Sequence, residues 1–487
     1  MEDPDTGLFD PFGTMSVDMN GEVSVLLEHF VTEMAPGIIA VDIRNTSQLM
    51  RSHWFGTAIS NQGFMHSLLS TIALHRHVFG RGPIETVLYH RAHAIASVNT
   101  ALANTDMTIG ISDANIGAVF NLLSVEESLA SPWFSYLRPH GDNPNQRAIH
   151  LNGLLRMIEL RGGLMAMNSN RILQAFILWH ATIHAIASFD VPYLSTIDLL
   201  SAACNPRHPP GYQPHISRHL LECCTSAQVQ ESLYTLVESA LILIADLNSW
   251  FSDPNSPLDP LDMQNFSCVL ECMLLKWLRD SEHIVSPLED ALCVALLIFT
   301  VRVTEAFKGR NHAHMLHSQA SERLEKALSA TSCTEWQLCP NLLLWILAIG
   351  AISAEGSASS SWFTYQVSLA CVEFDIADAT SLLDRLRFCG WVSFKLDEAV
   401  RYLWEDIINL RLEPSYDESS TAGPLQGKVN SPDFTDWQNI DWSALTAPAE
   451  TASPLDEFMV SPIDGSSGLF ESGNGFVFPH NSSFYMR

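Results

Sequence analysis

The chain has 487 residues, too many for one ordinary hydrophobic core, so length predicts about two to four domains or one large helical array. Hydrophobic residues make up 47% and charged residues 16%, which is enough apolar material for most of the chain to fold. Only 26 Lys plus Arg stand against 54 Asp plus Glu; the formal charge of -28 repels phosphate backbones, and no segregated basic patch is visible to reverse that.

The opening MEDPDTGLFDPFGTM is acidic and has no basic stretch leading into an apolar run, so it does not read as a secretory signal. Residues 1–20 are predicted to be mostly irregular. From about Glu22 to Leu412 long apolar stripes recur at helical spacing, broken by short loop clusters, with no alternating strand series. The expectation is therefore an all-α body over residues 21–412. In YHRAHAI, His90 and His93 lie three apart on one predicted helix face, and His312, His314 and His317 crowd into NHAHMLH. Two imidazoles from one helix hold zinc only when further ligands arrive from elsewhere. No such partner can be named, so His90 and His93 are the metal candidates while no metal and no cofactor is assigned. Glu126 and Glu127 are adjacent, point about a third of a turn apart on a helix, and suit a solvated face or an interhelix contact better than one substrate.

RPHGDNPNQ (Arg138 to Gln146) reads as a loop. HLNGLLRMIELRGGL follows, with Leu151, Leu154, Leu155 and Ile158 on one stripe. Gly162 and Gly163 fall where a C-cap is needed, and Arg156 and Arg161 sit near the negative end of the helix dipole. An anion cradle needs the opposite, amide-rich end, so this is a helix stop rather than a phosphate loop. NPRHPPGYQP (Asn205 to Pro214) and SDPNSPLDP (Ser252 to Pro260) are the next predicted loops. The ten cysteines begin only at Cys204 and include the adjacent pair Cys223 and Cys224 and the helical pair Cys268 and Cys272, while Cys333 and Cys339 stand apart from any partner pair. None makes a CxxC pair or a secreted disulfide framework, so they are expected as small core residues in a reducing compartment, with the sequon at Asn265 unglycosylated. CVALLIFTV (Cys293 to Val301) is too short to span a bilayer, and no membrane association is expected. Near the end of the body, Leu396, Val400, Leu403, Ile407 and Leu410 form a last apolar stripe.

From Glu413 to Arg487 the composition turns to Ser, Pro, Gly and Asp, and Lys and Arg shrink to Lys428 and Arg487. This segment is predicted to be disordered. It nevertheless sets aromatics among acids in DFTDWQNIDW, LDEFM and GLFESG, the composition of an activation segment, with Phe434, Trp437, Trp442 and Phe458 as its candidate contact residues. The alternative is a plain acidic tail. The chain lacks GxSxG, P-loop, HExxH and GxGxxG signatures, so no catalytic residue is assigned and the expectation is a non-enzyme.

Several blocks in order resemble the regulatory region of fungal binuclear zinc-cluster transcription factors: DPFGTMSV (Asp10 to Val17), HWFGTAISNQGFMHSLLSTIALH (His53 to His75), Asp113 to Trp133 and the stretch ending in Gly162 and Gly163. CPNLLLWILAIGAISAEG (Cys339 to Gly356), SWFTYQV, and Leu403 with Trp404 resemble the C-terminal half of that region. The resemblance implies a helical regulatory domain, a nuclear location and a role in transcription through other transcription factors or coactivators; a homodimer is compatible with it. The family's DNA reader uses six cysteines around two zinc ions. Here no cysteine precedes Cys204, so DNA is expected to be reached only indirectly or through a zinc cluster missing from the N-terminus. In this reading Arg161 pairs with a carboxylate, and Trp54, Phe64, Trp179, Trp345, Trp362 and Trp391 are packing anchors. A space between helices would suit a small inducer. The rival readings are a helical metal-dependent enzyme using His90 and His93, and a non-activating scaffold that sequesters a partner factor.

Overall fold

Short polar residues ahead of apolar stripes start the helices. Asn20, Asn61 and Asn170 accept from the backbone N–H of Val23, Phe64 and Leu173, Asp259 and Asp378 do the same for Leu261 and Ser381, and Ser286 with Glu289 forms a reciprocal capping box. Each such cap contributes about 1 kcal/mol. Pro260, Pro287 and Pro340 occupy the first turn, where the missing N–H costs nothing.

The computed structural model describes residues 15–129, 145–167, 169–195, 208–281, 285–305 and 315–412. Among them there is no strand. The main helices are α1 (Gly21–His29), α2 (Gln62–Val78), α3 (Ile84–Leu102), α4 (Asp113–Leu129), α5 (Asn145–Arg161), α6 (Arg171–Ser188), α7 (His219–Ser226) and α8 (Glu231–Ser252). After these come α9 (Pro260–Asp280), α10 (Pro287–Thr304), α11 (Met315–Ser329), α12 (Pro340–Ser353), α13 (Ser360–Glu373), α14 (Ala379–Phe388) and α15 (Ser393–Leu412). The tail residues Phe434, Trp437, Trp442 and Phe458 lie outside the described residues, as does the loop from Arg138 to Pro144.

Two hydrophobic cores meet across α9. The first is built from α1 to α6 around Trp54, whose indole stands edge-on to Phe64 at 4.7 Å and to Phe176 at 4.6 Å between ring centres. The second is built from α7 to α15 around α10 and α12. Helix α9 serves both, turning Cys268, Val269 and Cys272 to the first core and Phe266, Leu270 and Leu274 to the second. Helix α10 is buried on almost every side, which explains why Cys293 to Val301 reads as an unbroken apolar run. No described helix is long and apolar enough to cross a membrane.

Local expectations meet the structure unevenly. Gly162 and Gly163 have φ of 103° and 89° and close α5 with a Schellman pair: Gly163 N–H donates to Ile158 O at 2.9 Å and Gly162 N–H to Glu159 O at 3.0 Å. Arg161 reaches Asp113 on α4 at 3.1 Å. Asn265 ties α6 to α9, its side-chain oxygen accepting from Trp179 Nε1 at 2.8 Å. Trp362 is partly buried and packs against the second core, while its neighbour Phe363 is fully buried and fills the space opposite Gly350 on α12. One stripe residue is corrected: Leu410 is 37% exposed, because in the last turn of α15 it is Arg411 that faces α13, bonding Ser368; Trp404 completes the buried stripe instead.

Candidate functional site

The densest polar cluster lies where α4, α5 and α6 converge. Residues 180 and 184 are one helical turn apart on α6, so their imidazoles share a face. Glu127, near the end of α4, receives both: His180 Nε2 stands 2.9 Å from Glu127 Oε2 and His184 Nε2 3.0 Å from Glu127 Oε1. Arg147, in the first turn of α5, donates to Glu127 Oε1 at 2.8 Å and its Nη2 lies 3.3 Å from His184 Nδ1. Behind His180, the Tyr193 hydroxyl sits 2.7 Å from Nδ1.

These contacts assign the protons. A guanidinium has no acceptor, so His184 Nδ1 accepts from Arg147 and Nε2–H donates to Glu127. Burial lowers the pKa of His180 and Glu127 offsets this only in part, so the ring is neutral, taking the Tyr193 O–H at Nδ1 and giving Nε2–H to the carboxylate. Burial pushes the Glu127 carboxyl up, but the hydrogen bonds it accepts from His180 and His184 favour its ionised form and hold it below the usual range. Its ionised form is further served by Arg147. Among the described residues, Glu127, His180 and His184 are the group whose ligand atoms lie close enough to one another to hold a metal ion.

Glu127 is therefore an interhelix hub rather than a solvated residue, and Glu126 bonds Arg91 on α3. Helix periodicity could have flagged His180 and His184, which repeat at i, i+4 in HATIH; nothing local pointed to Glu127 as their shared partner. His90 and His93 gather no comparable set. His90 Nδ1 meets His66 Nδ1 at 2.9 Å, whereas His93 turns outward and donates Nδ1–H to Tyr89 O at 2.9 Å. Burial drops both His66 and His90 to about 4, so they form a neutral hydrogen-bonded pair between α2 and α3. His312 and His314 lie outside the described residues, and the side chain of His317 is likewise not described.

The described thiols are free and buried. Burial raises Cys224, Cys272, Cys339 and Cys371 to about 12. Cys223 on α7 behaves oppositely: a hydrogen bond from Cys389 leads, His219 adds its own at 3.8 Å, and the thiol falls to about 5. A solvent-open groove of about 530 Å³ runs between α8 and the start of α15, lined by Tyr212, Leu241, Ile244, Asn248, Arg387 and Trp391. Deep in α9, Glu271 is fully buried; Ser267 donates to one carboxyl oxygen at 2.9 Å and the other oxygen has no partner.

The fungal specific transcription factor domain matches residues 25–364, and the chain belongs to that family of transcription regulators. No curated protein and no solved structure matches the chain. The match ends within α13, but α14 and α15 complete the second core, so the folded body runs past it to Leu412.

Proposed function

We propose that the chain is the effector part of a fungal zinc-cluster-type regulator, acting in the nucleus through protein partners rather than by gripping DNA itself. The observation that carries this reading is the family match over residues 25–364 on a wholly helical described body. The charge of -28 supports the indirect route to promoters, because phosphate neutralisation is the main source of non-specific DNA affinity. In this reading residues 21–412 form one regulatory unit, residues 413–487 are the activating segment, and the body restrains that segment until a signal arrives. The groove beside Trp391 has the size of a small-ligand site, with apolar walls from Leu241 and Ile244 and polar groups from Asn248 and Arg387, and is where a small-molecule signal would bind.

The test is a reporter assay with residues 413–487 fused to a heterologous DNA-binding domain. Output is expected from the native segment and is expected to vanish when Phe434, Trp437, Trp442 and Phe458 are replaced by Ala at constant charge. Equal output from the two would reduce the segment to an acidic solubiliser and leave the scaffold reading.

A further inference from the structure

The hub at Glu127 has the donor set and spacing of a divalent metal centre, yet a guanidinium holds the place of the ion. Glu127, His180 and His184 offer one carboxylate oxygen and two imidazole nitrogens, all within 4.8 Å of one another. Zinc bonds of about 2.0–2.1 Å in a tetrahedron put neighbouring ligand atoms roughly 3.3 Å apart. Each imidazole nitrogen already stands 2.9–3.0 Å from one oxygen of the Glu127 carboxylate, His180 from Oε2 and His184 from Oε1, so small side-chain rotations bring the three ligand atoms to that spacing. Helix α6 supplies the two histidines from one face and α4 the carboxylate, so the ligands are already brought together by packing. Tyr193, 2.7 Å from His180 Nδ1, is the outer hydrogen-bond partner that fixes a ligating imidazole in orientation.

Arg147 stands in the way for two reasons. Its positive charge repels a second cation at Glu127, and its bond to His184 Nδ1 forces the proton onto Nε2, the atom a metal would need. The Arg147 side chain is 45% exposed, however, and reaches in from solvent, so it can withdraw without opening a core.

We propose that Glu127, His180 and His184 form a zinc site in which the metal ion and the Arg147 guanidinium are alternative occupants. When zinc enters, it takes over as the counter-charge of Glu127. Each imidazole moves its single proton from Nε2 to Nδ1, so no proton is gained or lost. His180 Nδ1–H then donates to the Tyr193 oxygen, and a water completes the fourth position. Expelling Arg147 frees the first turn of α5 from α4 and α6, which couples metal occupancy to the seating of α5.

The experiment is calorimetric titration of the EDTA-stripped full chain with zinc chloride, with circular dichroism to establish that each variant keeps its helices. The expected result is one binding event per chain, weakened at least ~10-fold in His184→Gln by loss of a ligand and ~10-fold in Tyr193→Phe by loss of the outer partner. Arg147→Ala, a change at an exposed side chain, is expected to tighten zinc several-fold. Wild-type chain that takes up no zinc, a His184→Gln variant that binds as the wild type does, or an Arg147→Ala variant that binds no tighter would each overturn the proposal.

Discussion

Glu271 offers the sharpest test of the physical reading of the core. Its carboxyl is fully buried on α9, between the two cores, with a single bond from Ser267, and burial raises its pKa from 4.5 to about 8. The folded protein therefore holds a proton at neutral pH that the unfolded chain has released. Between pH 4.5 and 8 the folded state binds more protons, so its stability falls as pH rises through that window and levels off above it. At about 1.36 kcal/mol per pH unit the whole window is worth ~5 kcal/mol, and the interval from pH 6 to 8 about 2 kcal/mol. Glu271→Gln keeps the shape and the neutral charge of the protonated acid and cannot ionise. Urea unfolding of the full chain and the variant at pH 6 and pH 8 is the assay. The native chain is expected to lose about 2 kcal/mol more than the variant over that interval, every other titrating group being common to both. Parallel pH dependences would refute the argument, since they would mean that Glu271 is ionised in the fold and has a counter-charge or water that burial geometry does not reveal.

Three further outcomes follow from other parts of the molecule. A Cβ at Gly350 would overlap the Phe363 ring, so Gly350→Ala is expected to cost about 1–3 kcal/mol by overpacking, with part recovered in a Gly350→Ala, Phe363→Leu double variant; an unchanged melting temperature in the single variant would contradict the packing of α12 on α13. Cys223, lowered to about 5, is expected to be alkylated by iodoacetamide near neutral pH before Cys224, Cys339 or Cys371, all near 12, and His219→Ala should slow it; peptide mass spectrometry reads the order, and uniform labelling would count against the thiolate. Purified chain is expected to give no mobility shift on duplex DNA at physiological salt, given 26 Lys plus Arg against 54 Asp plus Glu; a saturable, salt-sensitive shift would reveal a basic surface assembled by folding.

Near neighbours in the chain govern one part of this protein. Helical periodicity, capping residues such as Asn61 and Ser286, the Gly162–Gly163 stop and the unbroken apolar run of α10 each act over one or two turns, so they are legible before any tertiary contact exists. Composition and the ordered blocks were enough to place the chain among fungal transcription regulators. The site was different. His90 and His93 share a helix and stood out by spacing, yet packing buries His90 in a hydrogen bond with His66 and leaves His93 exposed beside them, bonded to the Tyr89 carbonyl. His180 and His184 have equally suggestive spacing, and what distinguishes them is Glu127, 53 positions from His180, brought in by the packing of α4 against α6. Arg147 and Tyr193 join from still other segments. The same holds for Trp362 and Phe363, which local pattern cannot rank because only the position of Gly350 on the facing helix decides which ring enters. Polar convergence of this kind is a property of tertiary structure: the energy of a buried carboxylate depends on which donors surround it in space, and those donors come from elements whose separation along the chain carries no periodic signal.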